Sequence, residues 1–282
     1  MRDHLVTAED TGRLGPAEPD GPAQPDGPDG TGNRHDLARW GGPFKRPVPG
    51  LIDRFAAVSA ATACAKLSRL GISRTFIYGP RPDRPGARVV GTARTLQFMP
   101  QREDIASGAD EEYVERRTAL WAVLDSTEPG DVLVVQANAA AHTGCVGEML
   151  VRYFGGRGGA GIVVDGRTRD SGRTRELDVP MWTTGATPHY ASQGSLFPWA
   201  YDVPVAVGQA LVMPGDLIVA DDDGAVVVPQ RLAEQVLALS EQHEEWETFS
   251  RERLAQGGAL SRYYPLDESA RAEYEQWRTQ RP

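Results

Sequence analysis

Apolar side chains fall at Ala60, Ala63, Cys64, Leu67 and Leu70, directly after Ser59, and the pattern stops at Gly71. That spacing predicts an amphipathic helix ended by a glycine suited to the left-handed turn beyond a helix. From residue 89 the pattern changes to short runs rich in β-branched residues, at 89–90, 92–97, 132–135, 162–164, 205–207, 217–220 and 225–228, each predicted to be a strand. Helical periodicity returns between some of them, at 111–124 and 147–154. Pro129-Gly130-Asp131 and Pro214-Gly215-Asp216 each lead straight into a strand, with Pro and Gly placed for a type II turn, and hint at two related halves of one β-rich body.

Asp223-Gly224 separates two apolar runs and predicts a tight hairpin. The adjoining Asp221 and Asp222 suggest a calcium loop, but the later glutamate of an EF-hand is missing and the hairpin is the better reading. Residues 231–257 read as one long helix, with Leu232, Val236, Leu239, Trp246 and Phe249 set among many glutamates. Beyond it, Tyr263, Tyr264, Tyr274 and Trp277 are anchors in a polar stretch expected to pack on the surface or on a neighbouring subunit. At the other end, residues 11–35 repeat Asp-Gly-Pro with almost no large apolar side chains, too few to offset the entropy of ordering them. The divisions expected are a disordered tail over 1–38, a domain over 39–260 and a C-terminal extension over 261–282.

Composition narrows this further. A chain of 282 residues, 40% hydrophobic and 24% charged, can bury the core of one large or two modest domains, which excludes collagen-like, coiled-coil and wholly disordered chains. The formal net charge of -9 repels a phosphate backbone, so no nucleic acid partner is expected. Two cysteines, Cys64 and Cys145, can build neither a disulfide framework nor a cysteine zinc cage, and fit a reducing compartment. The charged start lacks the apolar core of a secretion signal and nothing approaches a membrane span, so a cytoplasmic protein with no membrane partner is expected.

Among possible chemistries, Gly156 to Gly161 spell G-x-G-x-x-G, but they end a predicted helix and enter a strand, the reverse of a phosphate loop. A Schiff-base mechanism needs a desolvated lysine, and of the only two, Lys45 adjoins the tail while Lys66 is expected on the solvated face of the early helix. The histidines lack zincin spacing, and His142 with Cys145 lacks an orienting third group for a thiol nucleophile. Two segments remain. Residues 165–170 (Asp-Gly-Arg-Thr-Arg-Asp) put a cluster of charge at the end of an apolar strand, which is either a site or a self-paired surface turn. Residues 138–148 follow another strand with small side chains and then open a helix near Gly147, a plausible anion cradle.

Glu148, twenty intervening residues, then Arg169-Asp170, with Val163-Val164-Asp165-Gly166 before them, resembles the RraA-like family, which includes divalent-metal-dependent 4-hydroxy-4-methyl-2-oxoglutarate aldolases. Arg94-Thr95-Leu96, the stretch 214–224, Gly257 to Leu260 and Tyr264-Pro265 extend the resemblance over about 51–264. It implies an α/β fold: a swivelling β/β/α domain, with a sandwich or barrel-like sheet flanked by helices. It also implies a homotrimer or dimer of trimers, with sites between subunits, acting on a small 2-oxo acid. By the resemblance Asp170 holds Mg²⁺ or Mn²⁺, and an acidic residue of the adjacent chain, Glu247 or else Glu244, completes the outer shell. Arg169 binds the substrate carboxylate and oxo group, and the backbone at Gly147, Glu148 and Met149, with Asn138, holds the rest. Arg169, Asp170 and Glu148 form the implied catalytic set.

The activity implied is a class II lyase: retro-aldol cleavage of a 4-hydroxy-2-oxo acid, oxaloacetate decarboxylation, or both, through a metal-stabilised pyruvate enolate. The alternative within the same resemblance is a non-catalytic regulator that binds a ribonuclease. One position departs from the aldolase pattern: Arg173 stands where those enzymes carry an acid, and it either contacts a further anionic group of the substrate or faces solvent.

Overall fold

The long strand Val89–Pro100 organises the domain, because three different strands pair along its length. Near its start it runs antiparallel to Leu217–Asp221 (Leu217 opposite Thr92), in its middle parallel to Asp131–Gln136 (Thr92 opposite Asp131), and near its end antiparallel to Leu196–Tyr201 (Leu196 opposite Pro100). The computed structural model describes residues 35–102, 104, 115–191 and 196–280, all within one unit, His35–Pro282. The predicted tail up to residue 34 and the start of the helix expected at 111–124 lie outside the described residues.

The sheet runs from Phe76–Ile77 through Gly224–Val228, Leu217–Asp221, Val89–Pro100, Asp131–Gln136, Gly161–Val164 and Met181–Thr183 to Arg81–Pro82. Its two outermost strands are thus separated by only three residues of chain, Tyr78 to Pro80, which a connection of ~3.5 Å per residue cannot stretch across a flat sheet of this width. The sheet must curl until its edges meet, and it does so around one apolar interior.

Alternation along the strands divides the side chains between that interior and two outer layers. Val132, Val134, Val163, Ile218, Ala220 and Trp182 point inward, closed over by the hairpin of Val205–Val207 and Ala210–Val212. Leu133, Val135, Ile162 and Val164 point outward under helices Ala119–Asp125 and Glu148–Gly156, with Phe154 and Leu120 filling the gap. Leu217, Val219, Val226 and Val228 cover the third layer beneath helices Pro49–Phe55, Ala60–Arg69 and the start of Ala233–Ala255. The expected helix after Ser59 is present, and the Ser59 hydroxyl accepts the Thr62 N–H at 3.0 Å as its cap.

The acidic run predicted to turn a hairpin does so, with Asp221 opposite Gly224. Its carboxylates serve neighbouring backbone: Asp221 Oδ2 accepts the Ala60 N–H and Asp222 Oδ1 accepts the Gly86 N–H, both at 2.8 Å. The two Pro-Gly-Asp turns both place glycine at positive φ, yet the strands they open run in opposite senses against Val89–Pro100, so they do not mark a repeated half. Residues beyond 260 form helices Leu260–Tyr263 and Glu268–Thr279, whose Tyr263, Ala270, Tyr274 and Trp277 surround Phe249 of the long helix in a small separate cluster. Among the described residues no helix is long and apolar enough to cross a membrane.

Candidate functional site

Strands Asp131–Gln136 and Gly161–Val164 are parallel neighbours, so the chain leaves both at the same edge of the sheet, where open α/β sheets carry their sites. The two loops that follow are stitched together. Cys145 N–H donates to Arg167 O at 2.9 Å, Arg169 N–H donates to Val146 O at 3.1 Å, and Gly144 bridges Arg167. Beneath them the buried Asp165 carboxylate accepts the Ala137 N–H, and desolvation pushes its pKa up.

This stitching sets Arg169 and Asp170 against the first turn of helix Glu148–Gly156. Asp170 Oδ2 accepts both the Glu148 N–H and Arg169 Nε–H at 3.2 Å, while Oδ1 has no partner among the described residues. Asp170 adopts left-handed backbone at φ 57 and ψ 33, a conformation that an aspartate tolerates better than most residues and one that strained functional positions often show. Gly147 is required by the close approach: a Cβ there would lie 2.7 Å from Asp170 Oδ2 and 2.9 Å from Arg169 Nε.

A cavity of about 490 Å³ opens over this corner, its wall including Glu115, Arg169, Asp170, Gly144, Gly147, Met149 and Leu150 with the rings of Trp121 and Tyr190. The side chains of Arg169 and Asp170 are each 38% exposed, so both are reachable, and the Arg169 guanidinium lies 5.9 Å over the Tyr190 ring. The Met149 and Leu150 N–H groups, at the start of the helix, find no acceptor among the described residues, which leaves donors and the positive helix end for an anion.

Of the residues expected here, Arg169, Asp170, Gly147 and Met149 are brought together. Glu148 joins them through its backbone only: its Oε1 meets Arg152 and its Oε2 meets Arg173, each at 3.1 Å, and these guanidinia, Arg173 foremost, hold its pKa down. Asn138 lies outside the cavity wall, exposed at φ 52, with its side chain taking a hydrogen bond from Gln136. Glu247 lies outside the wall of its own chain, on helix Ala233–Ala255, paired with His243 at 3.1 Å and Arg251 at 3.4 Å. Glu244 pairs with Arg251 at 2.8 Å.

Lys66 corrects the expectation of a solvated face: it is only 2% exposed, and burial foremost lowers its pKa, against the opposing pull of Glu247 and Glu244. It does not line the cavity, so its desolvation brings no Schiff-base lysine to the site. Cys145 is buried, and desolvation foremost, with the nearby Asp165 carboxylate, raises its pKa and keeps it a thiol. Trp121 and Tyr190 were not foreseen. Tyr190 comes from an irregular segment and Trp121 from a helix whose periodicity marks it as core, so neither carried a local signal.

A divalent cation of the kind the resemblance implies can be tested against these donors. Among the described residues no group of three or more His, Cys, Asp or Glu side chains could hold a metal. Asp170 Oδ1 is nonetheless a free hard oxygen on the cavity wall, which fits Mg²⁺ or Mn²⁺, ions that keep several waters and take one or two carboxylates, better than zinc.

Residues 57–227, more than half of the chain, match the RraA-like family, described as Aldolase/RraA. The chain belongs to the RraA-like family. A Halalkalibacterium halodurans protein, provisionally named a 4-hydroxy-4-methyl-2-oxoglutarate aldolase, is 31% identical over 157 residues, which cover 56% of this chain and 67% of that protein. The crystal structure of Streptomyces coelicolor RraAS2, titled an unusual member of the RNase ES inhibitor RraA protein family, shares 60% identity over 74% of this chain and 99% of its own, with a TM-score of 0.68. A Pseudomonas syringae pv. tomato protein at 24% identity and a TM-score of 0.67, covering 78% of this chain and 99% of its own, shares the fold.

Proposed function

We propose that this RraA-like protein is a divalent-metal-dependent lyase that cleaves a carbon–carbon bond in a small 2-oxo acid, either a 4-hydroxy-2-oxo acid or oxaloacetate. The observation that carries the proposal is the convergence of Arg169, Asp170 and the opening N–H groups of helix Glu148–Gly156 on one cavity wall. Arg169 offers a planar fork to the carboxylate of the substrate, and Tyr190 beneath it limits how far the guanidinium can swing. Met149 and Leu150 N–H groups supply further donors to the same anionic end. Asp170 Oδ1 would hold Mg²⁺ or Mn²⁺, with Oδ2 fixed in place by Arg169 and the Glu148 N–H. When bound, such an ion supplies Lewis-acid polarisation of the 2-oxo group. Arg169 adds positive charge where negative charge develops as the bond breaks.

Incubation with oxaloacetate and a set of 4-hydroxy-2-oxo acids in Mg²⁺ or Mn²⁺, coupled to pyruvate detection, is expected to show turnover that EDTA abolishes. Absence of pyruvate from every substrate would remove the lyase reading. A second reading, a non-catalytic regulator that binds a ribonuclease, is favoured by the 60% identity to RraAS2. Stoichiometric recovery of a ribonuclease on the immobilised full-length protein, with no pyruvate formed, would select it. On the lyase reading the protein is expected to act as a homotrimer or dimer of trimers in the cytoplasm, with Glu247 of an adjacent copy as the second acid near the cation.

A further inference from the structure

Glu148 occupies an unexpected position: its own backbone is in the site and its side chain is not. Both chain neighbours, Gly147 and Met149, wall the cavity, and the Glu148 N–H donates to Asp170 at 3.2 Å. The carboxylate is turned away and held by both oxygens, Oε1 by Arg152 Nε and Nη2 and Oε2 by Arg173 Nη1, all at 3.1 Å. Arg152 lies one turn further along the same helix, the i,i+4 position that brings two side chains together. Arg173 comes from the short helix Ser171–Thr174 that Asp170 itself opens, so the clamp reaches across from the other site loop.

We propose that Arg152 and Arg173 hold the Glu148 carboxylate away from a divalent cation bound at Asp170, with Arg173 setting how weakly that cation is held. This rests on the cation reading of the site given above. The charge around the corner supports it. Arg152 and Arg173 pair with Glu148 and Arg169 pairs with Asp170, so a dication at Asp170 meets guanidinia close by, and Glu115 is the further acid on the cavity wall that offsets them. A carboxylate already accepting charge-assisted bonds on both oxygens is held in place and is a weaker donor to a cation or its water. The site is thereby biased towards the anion that arrives with the metal rather than towards the bare ion. Arg173 is a positioning residue in this account, 74% exposed, its guanidinium paired with Glu148 and its backbone N–H donating to Asp170 O at 2.9 Å.

The test is direct Mn²⁺ binding to the full-length protein, read as loss of the free-ion paramagnetic resonance signal, for the natural chain, Arg173→Ala, Arg173→Asp and Asp170→Asn. Arg173 lies on the surface, and a melting curve for each variant establishes that it folds. Releasing Glu148 is expected to tighten Mn²⁺ about 10-fold in Arg173→Asp, with Arg173→Ala between the two, and Asp170→Asn is expected to abolish binding. Equal affinities in the natural chain and Arg173→Asp, or no Mn²⁺ binding in either, would overturn the inference. Because the readout is the ion alone, the two readings separate. The expected order of affinities without pyruvate from any substrate leaves the clamp standing and the lyase reading fallen. Pyruvate formation with an affinity indifferent to position 173 does the opposite.

Discussion

In Asp170→Asn, metal-dependent pyruvate release is expected to fall by about 10²-fold or more, with the melting temperature nearly unchanged. Asparagine is the informative replacement because it tolerates the left-handed backbone at φ 57 and keeps an oxygen to accept Arg169 Nε–H and the Glu148 N–H, now at 3.2 Å. What it removes is the charge, and with it the ion's attraction to Oδ1. The loss should appear in kcat as well as in KM, and excess Mn²⁺ should not restore it. Undiminished turnover would place the chemistry elsewhere, whereas an unfolded variant would show that the charge is needed for the loop itself. Circular dichroism on the same samples tells these apart.

Arg94→Met is expected to lower stability by about 3–5 kcal/mol, the cost of leaving buried carboxylates without their partner. Arg94 projects from the long central strand and forks onto Asp202, with Nε to Oδ1 at 2.8 Å and Nη2 to Oδ2 at 2.9 Å. Its Nη1 also meets Ser126 O at 2.6 Å and Asp131 Oδ2 at 3.3 Å, and Asp131 in turn pairs with Arg46. All of Arg94, Asp131 and Asp202 are buried, so water cannot replace the lost guanidinium. Urea unfolding should show a lower midpoint at unchanged slope. Adding Asp202→Leu to Arg94→Met should recover part of the loss, since it removes the carboxylate left without its guanidinium while Asp131 keeps Arg46. A stability loss under ~1 kcal/mol for Arg94→Met would mean that the network relaxes onto Arg46 and Ser126.

The same network shows how far local reading reaches. Arg94-Thr95-Leu96 stands out in the sequence only as part of a family likeness, because nothing near residue 94 announces that its partners are 37 and 108 positions away. The strands at 132–135, 162–164 and 217–220 were legible from their apolar runs, and the hairpin at Asp223-Gly224 from its turn residues, since each depends on neighbours in sequence. The strands Met181–Thr183 and Leu196–Tyr201 were not, the first being three residues long and the second carrying Pro198, which demotes a run to non-strand on local rules. Pro198 is accommodated because pairing to the long strand shifts register between Pro198 and Ala200.

For the site, sequence alone fixed the glycine-rich loop before a helix and a charged pair at the end of a strand, because strand ends and helix starts are properties of short segments. Lys66 shows the opposite case: its helix was legible, but which face of that helix lies under Ala233–Ala255 depends on a chain segment nearly two hundred residues later. Only the folded chain could decide that Asp170 keeps a free oxygen while both oxygens of Glu148 are taken. The direction of a side chain follows from the charges packed beside it, and those come from whichever distant segments the curled sheet brings together.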